Sequence, residues 1–373
     1  MKVIIAAAGT GGHINPGLAI ANKIKEENKD AKIIFIGTVR GLENDLVPRS
    51  GYELRTIEAY GINRKISINN IRNLFKTAKG YKQARKIVEE IRPDIVIGTG
   101  GYICGPVIFA AIKNNIPTML HESNAFPGIA VKLLSKKVDT VLVGFAEAKE
   151  RLSKAKNVVV TGTPAKMRKM TYSTEEKDRI KAEAGLKSEL PIVLVFGGSQ
   201  GAKSINEALI DIICKKLNEE YQIMWAVGPK QYDIIKEQLS EKQININNIK
   251  NAKIVPYIYN MEEIMNISDI VISRSGAMTI TEISRTGKPA IFIPFPFATE
   301  NHQEYNAKVL GNVNAAKIIL DKDLNANMLT STLEEMMRDK EVLAEMGANA
   351  KKVAISNVED RIYDEIEKLV KAK

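Results

Sequence analysis

Residues 2–13 read Lys2-Val3-Ile4-Ile5-Ala6-Ala7-Ala8-Gly9-Thr10-Gly11-Gly12-His13, and residues 192–202 read Ile192-Val193-Leu194-Val195-Phe196-Gly197-Gly198-Ser199-Gln200-Gly201-Ala202. Each is a short apolar run that breaks into glycines and then into a helical pattern. Such a run, bounded by glycine, reads as a strand buried on both faces, the usual strand of a parallel sheet. The glycines let the backbone turn and approach a ligand closely, and the next helix offers its N-terminus to an anion. Finding the pattern twice in one chain predicts two domains of similar construction.

Further runs of the same kind lie at 33–36, 95–97, 118–120 and 140–143, and then at 223–227, 252–255, 270–272, 290–293 and 316–319. Helix-period segments such as 16–27, with Pro16 at its start, and 127–135 separate them. Strand and helix in alternation predict an α/β fold of doubly wound parallel sheets. The residues 158–160 end in Thr161-Gly162-Thr163-Pro164, and the polar, basic stretch 165–174 that follows reads as a linker. The expected domains are 1–163 and 164–352, with a closing helix at about 353–373 that carries Ile362, Ile366 and Val370 at four-residue spacing. A length of 373 residues suits two domains. The first apolar run is too short for the core of a signal peptide, and no stretch approaches the ~20 apolar residues of a spanning helix. A soluble or peripheral protein is expected. The 2 cysteines, Cys104 and Cys214, are far apart and form no metal-ligand spacing.

Charge is uneven. Residues 1–163 hold 25 Lys and Arg against 14 Asp and Glu, whereas the remaining residues hold 29 against 30. A basic first half points to an anionic surface, either membrane or nucleic acid. Within it, 64–92 carries nine Lys and Arg against Glu89 and Glu90, interleaved with Ile68, Ile71, Leu74, Phe75 and Tyr81. A basic helix with bulky apolar residues suits a membrane surface, and equally a helix packing one stripe on its domain. Ile71, Leu74, Phe75, Lys76, Lys79 and Tyr81 are the candidate patch. No nucleic-acid-binding motif is found.

In doubly wound sheets ligands bind beyond the carboxyl ends of strands. The polar motifs fall there. Gly9-Thr10-Gly11-Gly12-His13 lacks the third glycine of a dinucleotide fingerprint and the Gly-Lys-Ser/Thr of a phosphate-binding loop. His13 sits in this loop, and an imidazole titrating near ~6.5 suits a general base. Gly100-Gly101-Tyr102 and His121-Glu122-Ser123-Asn124 follow two other strands. In the second half, residues 197–201 form an anion cradle. Arg274-Ser275-Gly276-Ala277-Met278-Thr279 precedes Glu282, a carboxylate suited to a ribose diol. Phe295-Pro296-Phe297 leads to Gln303, whose amide suits sugar hydroxyls. Asp321-Lys322-Asp323 looks like a metal-binding pair of aspartates, but it stands on a polar turn without supporting residues and is read as solvated.

Taken in order, the motifs at 9–13, 100–102, 121–124, 197–202 and 274–279 resemble the MurG family of glycosyltransferase family 28, along nearly the whole chain. The resemblance implies a GT-B fold, two Rossmann-like domains facing across a cleft. It implies an inverting transfer of N-acetylglucosamine from UDP-N-acetylglucosamine to the C4 hydroxyl of the muramoyl sugar of lipid I, with no metal and no cofactor. Carried over by position, His13 and Glu122 are the catalytic candidates. Thr10, Gly11, Gly12, Asn124, Lys166, Ser199, Gln200, Ile258, Glu282 and Gln303 are placed on the donor. Thr10, His13, Tyr102 and Asn124 are placed on the acceptor side. Lys166 stands where the family often has arginine, and Ser123 where it has glutamine. The partners implied are UDP-N-acetylglucosamine, lipid I and the anionic cytoplasmic face of the cell membrane, and not nucleic acid. Two enzymes of the same architecture remain as alternatives, a UDP-N-acetylglucosamine 2-epimerase and a diacylglycerol glycosyltransferase. A non-catalytic nucleotide-sugar-binding protein is the alternative from another class.

Overall fold

The structure is a computed structural model. It describes residues 1–60, 68–165, 167, 169–187, 189–198 and 201–372, except for the side chains of 68–77. Lys166, Ser199 and Gln200, and the side chains of Ile71, Leu74, Phe75 and Lys76, therefore lie outside the described residues. The chain divides into two units, Met1–Ala165 with Ile355–Lys373, and Lys166–Ala354.

The first unit is built on seven parallel strands: β1 (Lys2–Ala6), β2 (Lys32–Gly37), β3 (Glu53–Thr56), β4 (Ile95–Gly98), β5 (Thr118–Glu122), β6 (Thr140–Val143) and β7 (Val158–Val160). Their order is β3-β2-β1-β4-β5-β6-β7. The second unit has six: β8 (Ile192–Phe196), β9 (Gln222–Ala226), β10 (Ala252–Val255), β11 (Ile270–Ser273), β12 (Ala290–Phe292) and β13 (Ala316–Ile318), in the order β10-β9-β8-β11-β12-β13. Both sheets are doubly wound. The chain reverses direction across the sheet between β1 and β4, and again between β8 and β11, and ligands bind at such switch points.

The helices that matter below are α1 (Gly11–Glu27), α2 (Glu43–Arg49), α3 (Ile68–Ile91), α4 (Lys203–Cys214), α5 (Ala277–Thr286), α6 (His302–Gly311) and α7 (Val358–Lys371). Both faces of the first sheet are covered. Ile4, Ile34, Ile36 and Val96 pack to one side, and Val3, Ile5, Phe35 and Ile97 to the other. On this second side α7 adds Val358, Ile362 and Ile366. Lys23 of α1 fixes α7 further through Asp360, at 2.6 Å.

Two details depart from expectation. The chain turns helical at Gly11, so Pro16 lies inside α1 and not at its start. The N–H that proline lacks would have met the carbonyl of Gly12, an exposed residue. His13 is consequently a first-turn helix residue and not a loop residue. The second departure is β3, Glu-Leu-Arg-Thr, an edge strand with no apolar run to announce it.

Candidate active site

At the first switch point the loop after β1 and the loop after β4 meet. Gly100 has φ +118°, and a Cβ there would stand 2.3 Å from His13 Nδ1. The His13 imidazole is therefore packed on the Gly100 backbone, which only glycine permits. Thr99 Oγ donates to the His13 carbonyl at 2.8 Å and fixes the first turn of α1. Thr10, exposed, precedes that turn with Gly11 and Gly12.

Glu43, the first residue of α2, holds this loop from behind. It is wholly buried. One carboxylate oxygen accepts the Gly9 N–H at 2.9 Å, and the other accepts the Thr38 N–H and hydroxyl at 3.0 and 2.7 Å. Nothing in the local sequence marks this role, because its partners come from two other segments.

At the end of β5, Glu122 is 5% exposed. Its Oε1 accepts from the backbone and the side-chain amide of Asn124, both at 2.9 Å, and its Oε2 accepts from the Gly128 N–H at 2.8 Å. The carboxylate closes the loop that carries Asn124. Its neighbour His121 is wholly buried, and burial pushes its pKa down to about 4. The neutral ring stands 3.1 Å from the Gly162 carbonyl, linking β5 to the end of β7. Tyr102, 38% exposed, borders a cavity of about 100 Å³ with Thr38, Arg40, Glu58 and Tyr60. Of the basic α3 surface, Lys79 is exposed and ion-paired with Glu58, whereas Tyr81 packs partly against the core.

At the second switch point the loops after β8 and β11 are neighbours. Gly201 has φ +75°, and a Cβ there would stand 2.5 Å from the Val227 carbonyl oxygen at the end of β9. The turn closes with the Gly201 N–H on the Gly198 carbonyl at 3.0 Å. Helices α4 and α5 begin at Ala202 and Gly276 without side-chain caps. Their first N–H groups are thus left to a ligand or water, an arrangement that favours an anion.

Glu282 lies one turn into α5, half-buried. Burial pushes its pKa up to about 7, partly offset by Arg285. Gln303, on α6, uses its side-chain oxygen to accept the Phe295 N–H at 3.0 Å, which ties α6 to the loop after β12. Ser275 Oγ donates to the Gln303 carbonyl at 2.7 Å. The Ile258 side chain is buried, between exposed Tyr257 and Tyr259 whose rings stand 5.0 Å apart.

Asp321 is not solvated, contrary to expectation. It is ion-paired with Arg274, with side chains only 21% and 12% exposed. Among the described residues no group of three or more His, Cys, Asp or Glu side chains gathers as metal ligands, and no helix is long and apolar enough to cross a membrane.

Comparison with known proteins matches both halves. The glycosyltransferase family 28 N-terminal domain matches residues 3–143, and the C-terminal domain matches residues 192–362. A protein of Acetivibrio thermocellus described as UDP-N-acetylglucosamine--N-acetylmuramyl-(pentapeptide) pyrophosphoryl-undecaprenol N-acetylglucosamine transferase is 42% identical, covering 100% of this chain and 99% of that protein. A Bacillus cereus protein of the same description, numbered 1, is 40% identical with 100% of both covered. The crystal structure of Acinetobacter baumannii MurG is similar with a TM-score of 0.79 at 28% identity, covering 98% of this chain and 99% of that one. A putative UDP-N-acetylglucosamine 2-epimerase of Listeria monocytogenes shares the fold alone, with a TM-score of 0.69 at 14% identity over 100% of this chain and 97% of that one. Two doubly wound units with glycine loops at their switch points, both halves matched by the family's domains, and relatives at 40% and 42% identity over the full length give one conclusion: the chain belongs to glycosyltransferase family 28 and has its GT-B fold.

Proposed function

We propose that this chain transfers N-acetylglucosamine from UDP-N-acetylglucosamine to the C4 hydroxyl of the muramoyl sugar of lipid I, with inversion at C1. The observation that carries the proposal is full-length identity of 42% to a relative whose description names that donor sugar and a muramyl-pentapeptide pyrophosphoryl-undecaprenol acceptor. The second unit holds the donor. The turn containing Gly198 and Gly201, and the starts of α4 and α5, face the diphosphate. Ser199, Gln200 and Lys166 supply side chains there. Glu282 takes the ribose diol, the backbone at Ile258 meets the uracil, and the Gln303 amide N–H group donates to the sugar. The first unit adds Thr10, Gly11, Gly12 and Asn124 to the donor side and presents the acceptor through Thr10, His13, Tyr102 and Asn124.

In the displacement, the acceptor O4 attacks C1 while the bond from C1 to the β-phosphate oxygen breaks. UDP leaves with the bonding electrons, and the O4 proton passes to His13. The uncapped helix starts stabilise charge developing on the leaving group, fixed dipoles being effective because they need no reorganisation. Glu122 has three donors on its carboxylate and acts by holding Asn124 in place.

The protein works at the cytoplasmic face of the cell membrane. Its basic first half supports this, as do Ile129 and Leu133, exposed beside Lys132, Lys136 and Lys137. The decisive assay supplies radiolabelled UDP-N-acetylglucosamine and a lipid I analogue, with and without EDTA. Label moving to the lipid in both conditions is the expected result. Epimerisation of the donor without any lipid would overturn the proposal.

Glu282 makes donor affinity pH-dependent. Its folded pKa of about 7 stands above the ordinary 4.5, so the group's contribution to stability is full below 4.5 and is lost as pH rises through 7. Donor binding runs the other way, because ribose hydroxyls donate to the ionised carboxylate. The donor KM should fall roughly tenfold between about pH 6 and pH 8 as the group ionises. In Glu282→Gln the donor KM should be raised at all pH values and this slope lost. A slope unchanged in the variant would remove Glu282 from the ribose.

A further inference from the structure

An arginine that opens a nucleotide-binding loop is easily taken for a phosphate ligand. Arg274 is otherwise engaged. Its Nη1 donates to Asp321 Oδ1 at 2.5 Å and to the carbonyls of Ile293 and Pro294 at 3.0 and 3.2 Å. Its Nη2 donates to Ser204 Oγ at 2.9 Å, and the Ser204 hydroxyl donates in turn to Asp321 Oδ1 at 2.6 Å. One guanidinium thus fastens the segments that follow four adjacent strands. Ser204 lies in the first turn of α4 after β8, Arg274 itself follows β11, Ile293 and Pro294 follow β12, and Asp321 follows β13.

We infer that Asp321, through Arg274 and Ser204, is a positioning residue that sets the first turn of α4 against the donor diphosphate. The inference rests on the donor assignment proposed above. Three physical points support it. The pair is largely withdrawn from water, so removing one partner leaves a desolvated charge rather than a neutral gap. The start of α4 has no side-chain cap, and Ser204 ties its first turn to the segments after β11 and β13, while Asn206 ties it to Trp225 and Val227 at the end of β9. Asp321 also neutralises Arg274 and keeps its planar fork on the strand ends, where two hydrogen bonds to carbonyls fix its orientation. An anion held by helix N–H groups depends steeply on where those groups point.

The test uses the full chain, with donor KM and acceptor KM from steady-state transfer, UDP affinity from calorimetry, and thermal unfolding. Asp321→Ala should raise the donor KM and weaken UDP roughly 10- to 100-fold, the scale of a displacement of about 1 Å in a binding group, while the acceptor KM stays within about twofold. Asp321→Asn keeps an oxygen acceptor for both donors and should recover part of the loss. Ser204→Ala removes the two hydrogen bonds of this bridge from an otherwise intact unit and should weaken UDP by about two- to tenfold, on the scale of the net worth of such bonds. If Asp321→Ala and Ser204→Ala lower the unfolding temperature yet keep UDP affinity and donor KM within about twofold, the pair is merely structural and the inference fails. Tighter UDP binding in Asp321→Ala, with Arg274 released onto the phosphates, would overturn it as well. Failure of the unaltered protein to bind UDP would instead defeat the donor assignment itself.

Discussion

His13→Ala is expected to lower kcat by roughly 10²- to 10⁴-fold, the usual worth of a general base, while UDP affinity stays within about twofold. The two readouts separate because His13 belongs to the first unit and the loops proposed to hold the UDP belong to the second. Packing on Gly100 gives an independent route to the same loss. Gly100→Ala retains the imidazole but puts a methyl group where the ring now lies, on a backbone at φ +118°. It should reproduce the His13→Ala defect in turnover. Near-normal turnover in His13→Ala would assign the base elsewhere. Low turnover in His13→Ala with normal turnover in Gly100→Ala would show that the ring does not need its present position.

Gly201→Ala should damage the donor site in a different way. The new methyl would stand 2.5 Å from the Val227 carbonyl oxygen, on a backbone at φ +75°. A non-glycine residue held there costs about 1–3 kcal/mol, and the clash adds to that. The turn relaxes by moving Gly198 and the start of α4, so the donor KM should rise by roughly tenfold or more, as expected when binding groups shift by about 1 Å. The acceptor KM should not change. Urea unfolding and a donor titration measure the two effects. An unchanged donor KM would mean that this turn does not face the diphosphate.

The sheets were legible because their strands are buried on both faces. Runs such as Ile192–Phe196 cannot be placed elsewhere without exposing apolar surface. Edge strand β3 escaped notice because only one of its sides needs apolar residues. The glycine loops were legible for a related reason: glycine directly after a buried strand has few explanations besides a tight turn or a close approach. What supports those loops was not legible. Glu43 is 34 residues from Gly9, and Asp321 is 47 from Arg274 and 117 from Ser204. Carboxylates that act across such separations look like any surface acid until the fold brings their partners together. The Asp321 string stands on a polar turn and so reads as solvated, whereas the fold brings Arg274 onto it and withdraws it from water.

The docking of α7 on α1 has a consequence for biosynthesis. Val358, Ile362 and Ile366 complete one face of the first unit, yet they emerge from the ribosome after the whole of the second unit. Each such side chain contributes on the order of 1.5–3 kcal/mol when fully buried. The N-terminal domain usually folds first during synthesis, but here the first unit cannot complete this face before α7 has been made. Until α7 is released, the first unit keeps this part of its apolar surface open.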